Sequence, residues 1–185
     1  TPEPHGIRMW CLGNEMDGPW QLGAATPAEY AAVAAKTAAA MRQLDPDVQL
    51  VVCGSSGAQM PTFGEWERVV LERTYDDVDF ISCHAYYEPR DGDLASFLAS
   101  AVDMDRFIEE VVATVDHVKA LRRSDRQIHI SFDEWNVWYQ SRYEEVEKIT
   151  DIRSWPVAPR LLEDSYTVVD AVVVGSLLIS LLRHA

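Results

Sequence analysis

The sequence predicts an α/β fold in which four strands, each followed by a helix, build a parallel sheet through right-handed crossovers. Three observations carry this. Four short apolar runs rich in β-branched and aromatic residues recur along the chain, helical patterns with recognisable starts separate them, and the unusual polar residues fall at the carboxyl ends of the runs.

The first run, IRMWCLGNE at 7–15, precedes Thr26-Pro27-Ala28-Glu29, a capping-box spacing with proline at the first helical position. The helix it opens is expected to reach about Leu44, where Asp45-Pro46 stops it. The second run, VQLVVCGSS at 48–56, leads to Thr62 and Glu65, which repeat the capping spacing ahead of Trp66, Val69, Val70 and Arg73. After the third, VDFISCHAYY at 78–87, Met104, Phe107, Ile108, Val111, Val115, Val118 and Leu121 recur at three- and four-residue steps. They form one face of a long helix, and Arg122-Arg123 suit its negative dipole end. The fourth run, IHISFDEW at 128–135, is followed by an irregular connection over 139–163 and a last helix from Thr167. Apolar residues in the runs are nearly continuous rather than alternating, so the strands are expected to be buried on both faces.

With 48% hydrophobic and 25% charged residues, the 185-residue chain has the make-up of one globular domain with a core. A net charge of −14 repels phosphate backbones and anionic lipid, which argues against nucleic-acid and membrane partners and leaves neutral or cationic ligands. The most apolar stretch, AVVVGSLLISLL at 171–182, falls short of the roughly 18 residues a bilayer span needs and reads as a buried helix. Cys11, Cys53 and Cys83 each sit within an apolar run without CxxC spacing, so buried, inert thiols are expected. Their odd number and the lack of a leader in TPEPHGIRMW point to a reducing, cytoplasmic compartment.

Asn14 and Glu15, Ser55 and Ser56, His84 and Tyr86, and Asp133 and Glu134 stand at the four strand ends, where α/β folds, and barrels in particular, build active sites. Any one of them alone reads as a loop-facing residue or a helix cap. Together they make Glu15 and Glu134 a candidate pair for glycoside hydrolysis, which needs one carboxylic acid for the leaving oxygen and one carboxylate to attack or to activate water. On consecutive strands of an eight-stranded barrel the two residues stand three strands apart. Strands about 4.8 Å apart and tilted about 36° then give a Cα chord near ~14 Å and leave about 5 Å between the carboxylates. That is the retaining spacing.

WCLGNEMDGPWQ, HAYY and ISFDEWNVWY resemble the motifs of glycoside hydrolase family 51, the α-L-arabinofuranosidases, and the likeness runs from His5 to the closing VVVGSLLISLLRHA. The resemblance implies a partial (β/α)8 TIM barrel over residues 1–185, with units like the fourth to seventh of eight. The first three strands, the eighth and a C-terminal β-sandwich are absent from this chain under that reading. It implies Glu15 as general acid/base and Glu134 as nucleophile, no cofactor, and release of terminal α-L-arabinofuranosyl residues from arabinose-containing oligo- and polysaccharides. Asn14 would bind the hydroxyl beside the reacting carbon and Tyr86 would hydrogen-bond the nucleophile. His84, Trp20 and Trp138 would complete the sugar site, with Trp155 as a further stacking platform or lid. Glu15 is expected to rest protonated because its partner's charge disfavours a second anion. Asp133 is expected to orient its neighbours. His84 has a competing reading as a metal ligand beside the carboxylates, which no HExxH-like spacing supports, so no metal is expected. Ala24 stands where the family has a histidine. The complete protein is expected to form a homo-oligomer, with a hexamer suggested by the likeness.

Two other functions fit the same residues: a different retaining barrel glycosidase of β-glycanase type, and a non-catalytic carbohydrate-binding fragment. Four strands leave two open sheet edges, so the isolated 185-residue chain is expected to be inactive and to aggregate. Size-exclusion chromatography with a thermal melt checks this, and a monodisperse, cooperatively melting, hydrolytically active sample contradicts it.

Overall fold

The structure is a computed structural model that describes residue 3, residues 5–141 and residues 165–185. Trp155 and most of the expected 139–163 connection lie outside the described residues. Along the chain run β1 (Met9–Cys11), α1 (Pro27–Leu44), β2 (Gln49–Val52), α2 (Glu65–Thr74), β3 (Phe80–Tyr87), a 3-10 turn (Arg90–Gly92), α3 (Leu94–Leu98), α4 (Ser100–Arg122), β4 (His129–Val137) and α5 (Val168–Arg183). The sheet order is β1-β2-β3-β4. Met9 to Cys11 pair in parallel with Gln49 to Val51, and Val51 and Val52 with Phe80 and Ile81. The His129 N–H donates to the Asp79 carbonyl at 2.9 Å and the Trp138 N–H to the Tyr87 carbonyl at 3.0 Å. Both strands therefore ascend together, and the predicted α/β class with a parallel sheet holds. No helix among the described residues is long and apolar enough to cross a membrane.

The described residues form two compact units, Thr1–Ala85 with Arg106–Glu134, and Tyr86–Asp105 with Trp135–Ala185. In the first, Tyr30, Ala31, Ala34 and Ala38 make a narrow stripe on α1, opened by the capping box read from the sequence: Thr26 N–H donates to Glu29 Oε2 at 3.0 Å. That stripe, Trp66, Val70 and Leu71 of α2, and Phe107, Val111, Val115 and Val118 of α4 form one core with Leu50, Val52, Ile81 and Cys83 of the strands. Trp66 lies flat on Tyr30, with ring centroids 5.4 Å apart, and donates its indole N–H to the Cys53 carbonyl at 2.9 Å. At the amino end of β3, Asp79 accepts from Arg42 at 2.8 Å and from Arg126 at 2.7 Å. In the second unit Phe97, Val137, Val173 and Leu177 are buried, and α3 packs against α5. There the Tyr139 hydroxyl donates to Asp170 at 2.7 Å, and Asp170 also caps α5 through the Thr167 N–H.

Four expectations are corrected. Only β2 and the first part of β3 are buried; β1 has three residues, all exposed, and β4 is largely half-exposed. These are the sheet's outer strands, with a neighbour on one side only among the described residues. Cys11, on β1, is exposed for the same reason, whereas Cys53 and Cys83 are buried. The helix after β2 starts two residues later than the Thr62–Glu65 spacing indicated. Gly64, at φ 80°, is its N-cap, and the buried Glu67 accepts from the Gly64 N–H at 2.7 Å, the half of a capping box that a glycine allows. Finally, α5 is not buried all round: Val173, Leu177 and Ser180 face inward, while Val172, Ile179 and Leu182 are exposed.

Gly54, just past β2, sits where an added Cβ would lie 2.1 Å from the Ser82 carbonyl oxygen. Backbone cannot yield there as a flexible side chain can. Gly54→Ala is expected to push the ends of β2 and β3 apart and to cost about 1–3 kcal/mol, read as a lower urea midpoint at unchanged slope.

Candidate active site

Glu15 owes its position to a turn that a glutamate does not favour. Its φ is 48°, in the left-handed region where L-residues carry a steric penalty. The turn is held closed by the Gly18 N–H donating to the Glu15 carbonyl at 2.9 Å and the Ala25 N–H to the Met16 carbonyl at 3.0 Å. Asp17 pins it to the loop after β2, where both carboxylate oxygens lie 3.1 Å from the Ser56 N–H. Trp20 folds back over Gly18, where an added Cβ would meet the indole ring at 2.4 Å, and donates its N–H to Glu15 Oε2 at 2.6 Å. This bond holds the Glu15 side chain from one side.

His84, from β3, holds it from the other. The residue is 3% exposed, with Nδ1 3.0 Å from Glu15 Oε1 and Nε2 3.1 Å from Asp133 Oδ1. Glu134 Oε2 lies 3.6 Å from the same Nδ1. Asp133 turns its other oxygen to the Ser131 hydroxyl at 3.0 Å and to the Cys11 thiol at 3.7 Å. Burial alone would lower the His84 pKa; hydrogen bonds to Asp133 and Glu15 and the charges of Glu134 and Asp133 outweigh it and lift the pKa to about 9. The ring is therefore an imidazolium at neutral pH. Burial would likewise raise the Glu15 pKa, but the hydrogen bonds from His84 and Trp20, the His84 charge and Gln21 bring it below the ordinary value. The expectation that Glu15 rests protonated is corrected in direction: it counted the charge of Glu134 and missed the cation between them.

Glu15, His84 and Glu134 each bring one donor atom to within 4.8 Å of the others, a spacing that suits a cation. Both His84 nitrogens, however, face carboxylate oxygens at hydrogen-bond distance, and an imidazolium has no lone pair to give a metal. The first unit thus gathers Glu15, Trp20, His84, Asp133 and Glu134, with Asn14 exposed beside Glu15. Tyr86 and Trp138 belong to the second unit, where they meet edge to face with centroids 4.9 Å apart. Ala24 is exposed at the end of the turn, its N–H on the Gln21 carbonyl at 3.1 Å. Asp17 was missed as a positioning residue, because Asp17-Gly18-Pro19 reads in sequence only as turn chemistry.

Residues 133–185 match the family model of the α-L-arabinofuranosidase C-terminal domain. Over 183 residues the chain is 66% identical to an intracellular exo-α-(1→5)-L-arabinofuranosidase of Streptomyces lividans, which covers 99% of this chain and 27% of that protein. Over 189 residues it is 58% identical to an exo-α-(1→6)-L-arabinofuranosidase of Bifidobacterium longum, 99% of this chain and 36% of that one. Among solved structures, a family 51 α-L-arabinofuranosidase from Bifidobacterium longum superposes with a TM-score of 0.92 at 47% identity, over 98% of this chain and 38% of that chain. Over nearly its whole length the chain matches a fragment of a glycoside hydrolase family 51 enzyme. The chain spans about a third of the length of the curated relatives it matches. A more distant match, the arabinose complex of the Thermotoga maritima α-L-arabinofuranosidase, shares 29% identity at a TM-score of 0.77, over 99% of this chain and 33% of that one.

The raised pKa of His84 has a sign that can be tested. An unfolded histidine titrates near ~6.5, so the stabilisation from the protonated ring is fully present below that pH and is lost as pH rises through about 9. A His84→Gln variant of the complete protein is expected to melt well below wild type at pH 6 and to converge on it above pH 9. Parallel melting curves across that range would contradict the assignment.

Proposed function

We propose that this chain is the catalytic middle of a retaining exo-α-L-arabinofuranosidase, a glycosidase that removes terminal α-L-arabinofuranosyl residues from arabinose-containing oligo- and polysaccharides. The observation that carries the reading is the approach of Glu15 and Glu134, whose carboxylate oxygens come within 4.8 Å in a chain that matches a family 51 enzyme. Retaining glycosidases hold their two carboxyl groups about 5–5.5 Å apart, and inverting ones leave about 6.5 Å or more for a water. Names of the relatives support the substrate class, and "intracellular" in several of them supports a cytoplasmic enzyme.

Glu134 attacks the anomeric carbon while Glu15 gives a proton to the departing oxygen, and a glycosyl-enzyme ester forms. Glu15 then takes a proton from the water that cleaves the ester. Asn14, exposed next to Glu15, hydrogen-bonds the hydroxyl beside the reacting carbon. Trp20 offers a face to the sugar. The four strands correspond to the fourth to seventh of a (β/α)8 barrel whose other strands, with a C-terminal β-sandwich, belong to the complete protein. That protein works as a homo-oligomer, with a hexamer as the first state to test, and without a cofactor.

In the complete enzyme, Glu15→Ala is expected to lower kcat by about 10²–10⁴-fold on substrates with poor leaving groups, and Glu134→Ala to abolish turnover. Azide should rescue the first with retention of configuration and the second with inversion, because it attacks the ester in one case and the substrate itself in the other. Near-normal hydrolysis of an aryl arabinofuranoside by either variant would refute the assignment. Substrate profiling against β-glucosides and xylan separates this enzyme from a β-glycanase.

A further inference from the structure

Trp20 holds a pose that burial does not explain. The residue is 59% exposed, yet its indole is folded back over Gly18 and delivers its N–H to Glu15 Oε2 at 2.6 Å. An exposed ring gains little from packing and keeps its rotamer freedom unless a specific contact fixes it. The bond to Glu15 is that contact. Gly18 shows that the chain is built to admit it. Gly18 is not among the positive-φ residues, so its backbone does not call for glycine. What excludes a side chain is the indole, because an added Cβ would lie 2.4 Å from Cε2, 2.5 Å from Cζ2 and 2.9 Å from Nε1 of Trp20.

A glutamate needs such a hold. Its last torsion joins a tetrahedral carbon to a planar carboxyl group and is soft, so a contact at one oxygen leaves the plane of the group free to turn. His84 Nδ1 meets Oε1 at 3.0 Å and Trp20 Nε1 meets Oε2 at 2.6 Å. Two contacts on two oxygens set the plane, whichever atom of the His84–Glu15 pair carries the hydrogen between them.

We propose that Trp20 is a positioning residue for the general acid: through its indole N–H it sets the plane of the Glu15 carboxyl group, and with it the direction in which the proton is handed over. This rests on the reading of Glu15 as acid/base given above, and it gives the indole a role separate from the face it offers to the sugar. The N–H bond of Trp20 stays intact throughout. The proton passes from Glu15 to the departing oxygen, which keeps the electron pair of the broken C–O bond. A dinitrophenolate departs readily without that proton and an alkoxide does not, so a misaligned acid costs most with the poorest leaving group.

The test uses the complete enzyme, its Trp20→Phe and Gly18→Ala variants, and a series of arabinofuranosides from dinitrophenyl to alkyl leaving groups. Phenylalanine keeps an aromatic face and removes the donor. Alanine at position 18 keeps the indole and displaces it, while the N–H and carbonyl of that residue can still bond the Glu15 carbonyl and the Gln21 N–H. The expected result in both variants is a loss in kcat/KM that grows along the series, reaching about 10- to 10²-fold at the alkyl end. In a Glu15→Ala background neither substitution lowers turnover further, because the carboxyl group through which the indole acts is gone. A loss equal for all substrates, as from a ring that only packs or stacks, overturns the proposal. So does unchanged alkyl hydrolysis by Trp20→Phe, or a further loss in the double variants. If Gly18→Ala fails to fold, Trp20→Phe and its double variant decide alone. Failure of the function itself is separable: it would appear as Glu15→Ala enzyme active on alkyl arabinofuranosides, whatever stands at position 20.

Discussion

A single buried cation sets the chemistry of this site. The chain carries a net charge of −14, and three carboxylates converge within hydrogen-bond or near-contact distance of His84. Like charges so close would drive one of them to protonate, and which one would depend on small differences in burial. With His84 between them, one positively charged ring faces all three carboxylates, each with its own geometry. The ring also ties β3 to the turn after β1 and to β4, elements far apart in sequence. One imidazolium thus fixes both the electrostatics and the spacing of the acidic pair.

Strain and anchoring fit together around that cation. A left-handed Glu15 costs on the order of 1 kcal/mol, and it persists because the turn is over-determined. Asp17 grips the loop after β2, Gly18 makes room for an indole ring, and that indole returns to the carboxylate whose backbone is strained. The run that ends abruptly in Asn14-Glu15 is therefore a strand giving way to a turn whose function is to aim one side chain.

Much of this was legible in the residues. The strand-helix order followed from periodicity, and the α1 cap from Thr26 and Glu29, because those signals are local. The clustering of polar residues at strand ends pointed to the place where Glu15, His84, Asp133 and Glu134 come together, since a parallel sheet brings those ends to one side. Burial was misjudged for β1, β4, Cys11 and α5: an apolar run records what the complete fold covers, while the exposure observed reflects only the neighbours among the described residues. The α2 start slipped because a buried Glu67 and a positive-φ Gly64 made a cap that a Thr-x-x-Glu pattern does not describe. The charge state of Glu15 was out of reach. It depends on a histidine 69 residues away, and no spacing rule places an imidazole 3.0 Å from a particular oxygen.

Asp79 stands at the opposite end of β3 from His84 and receives one arginine from α1 and another from the loop before β4. Its own N–H donates to the Leu50 carbonyl, and its carboxylate accepts from the Leu50 N–H at 2.9 Å. The starts of two neighbouring strands, the end of α1 and the loop before β4 are thereby referenced to one carboxylate. Strands behave as stiff rods over this length, so a slip at the near end arrives undiminished at the far one, where it would shift the carboxylates gathered around His84. The remote aspartate acts as the surveyor's benchmark from which the groups around His84 are measured.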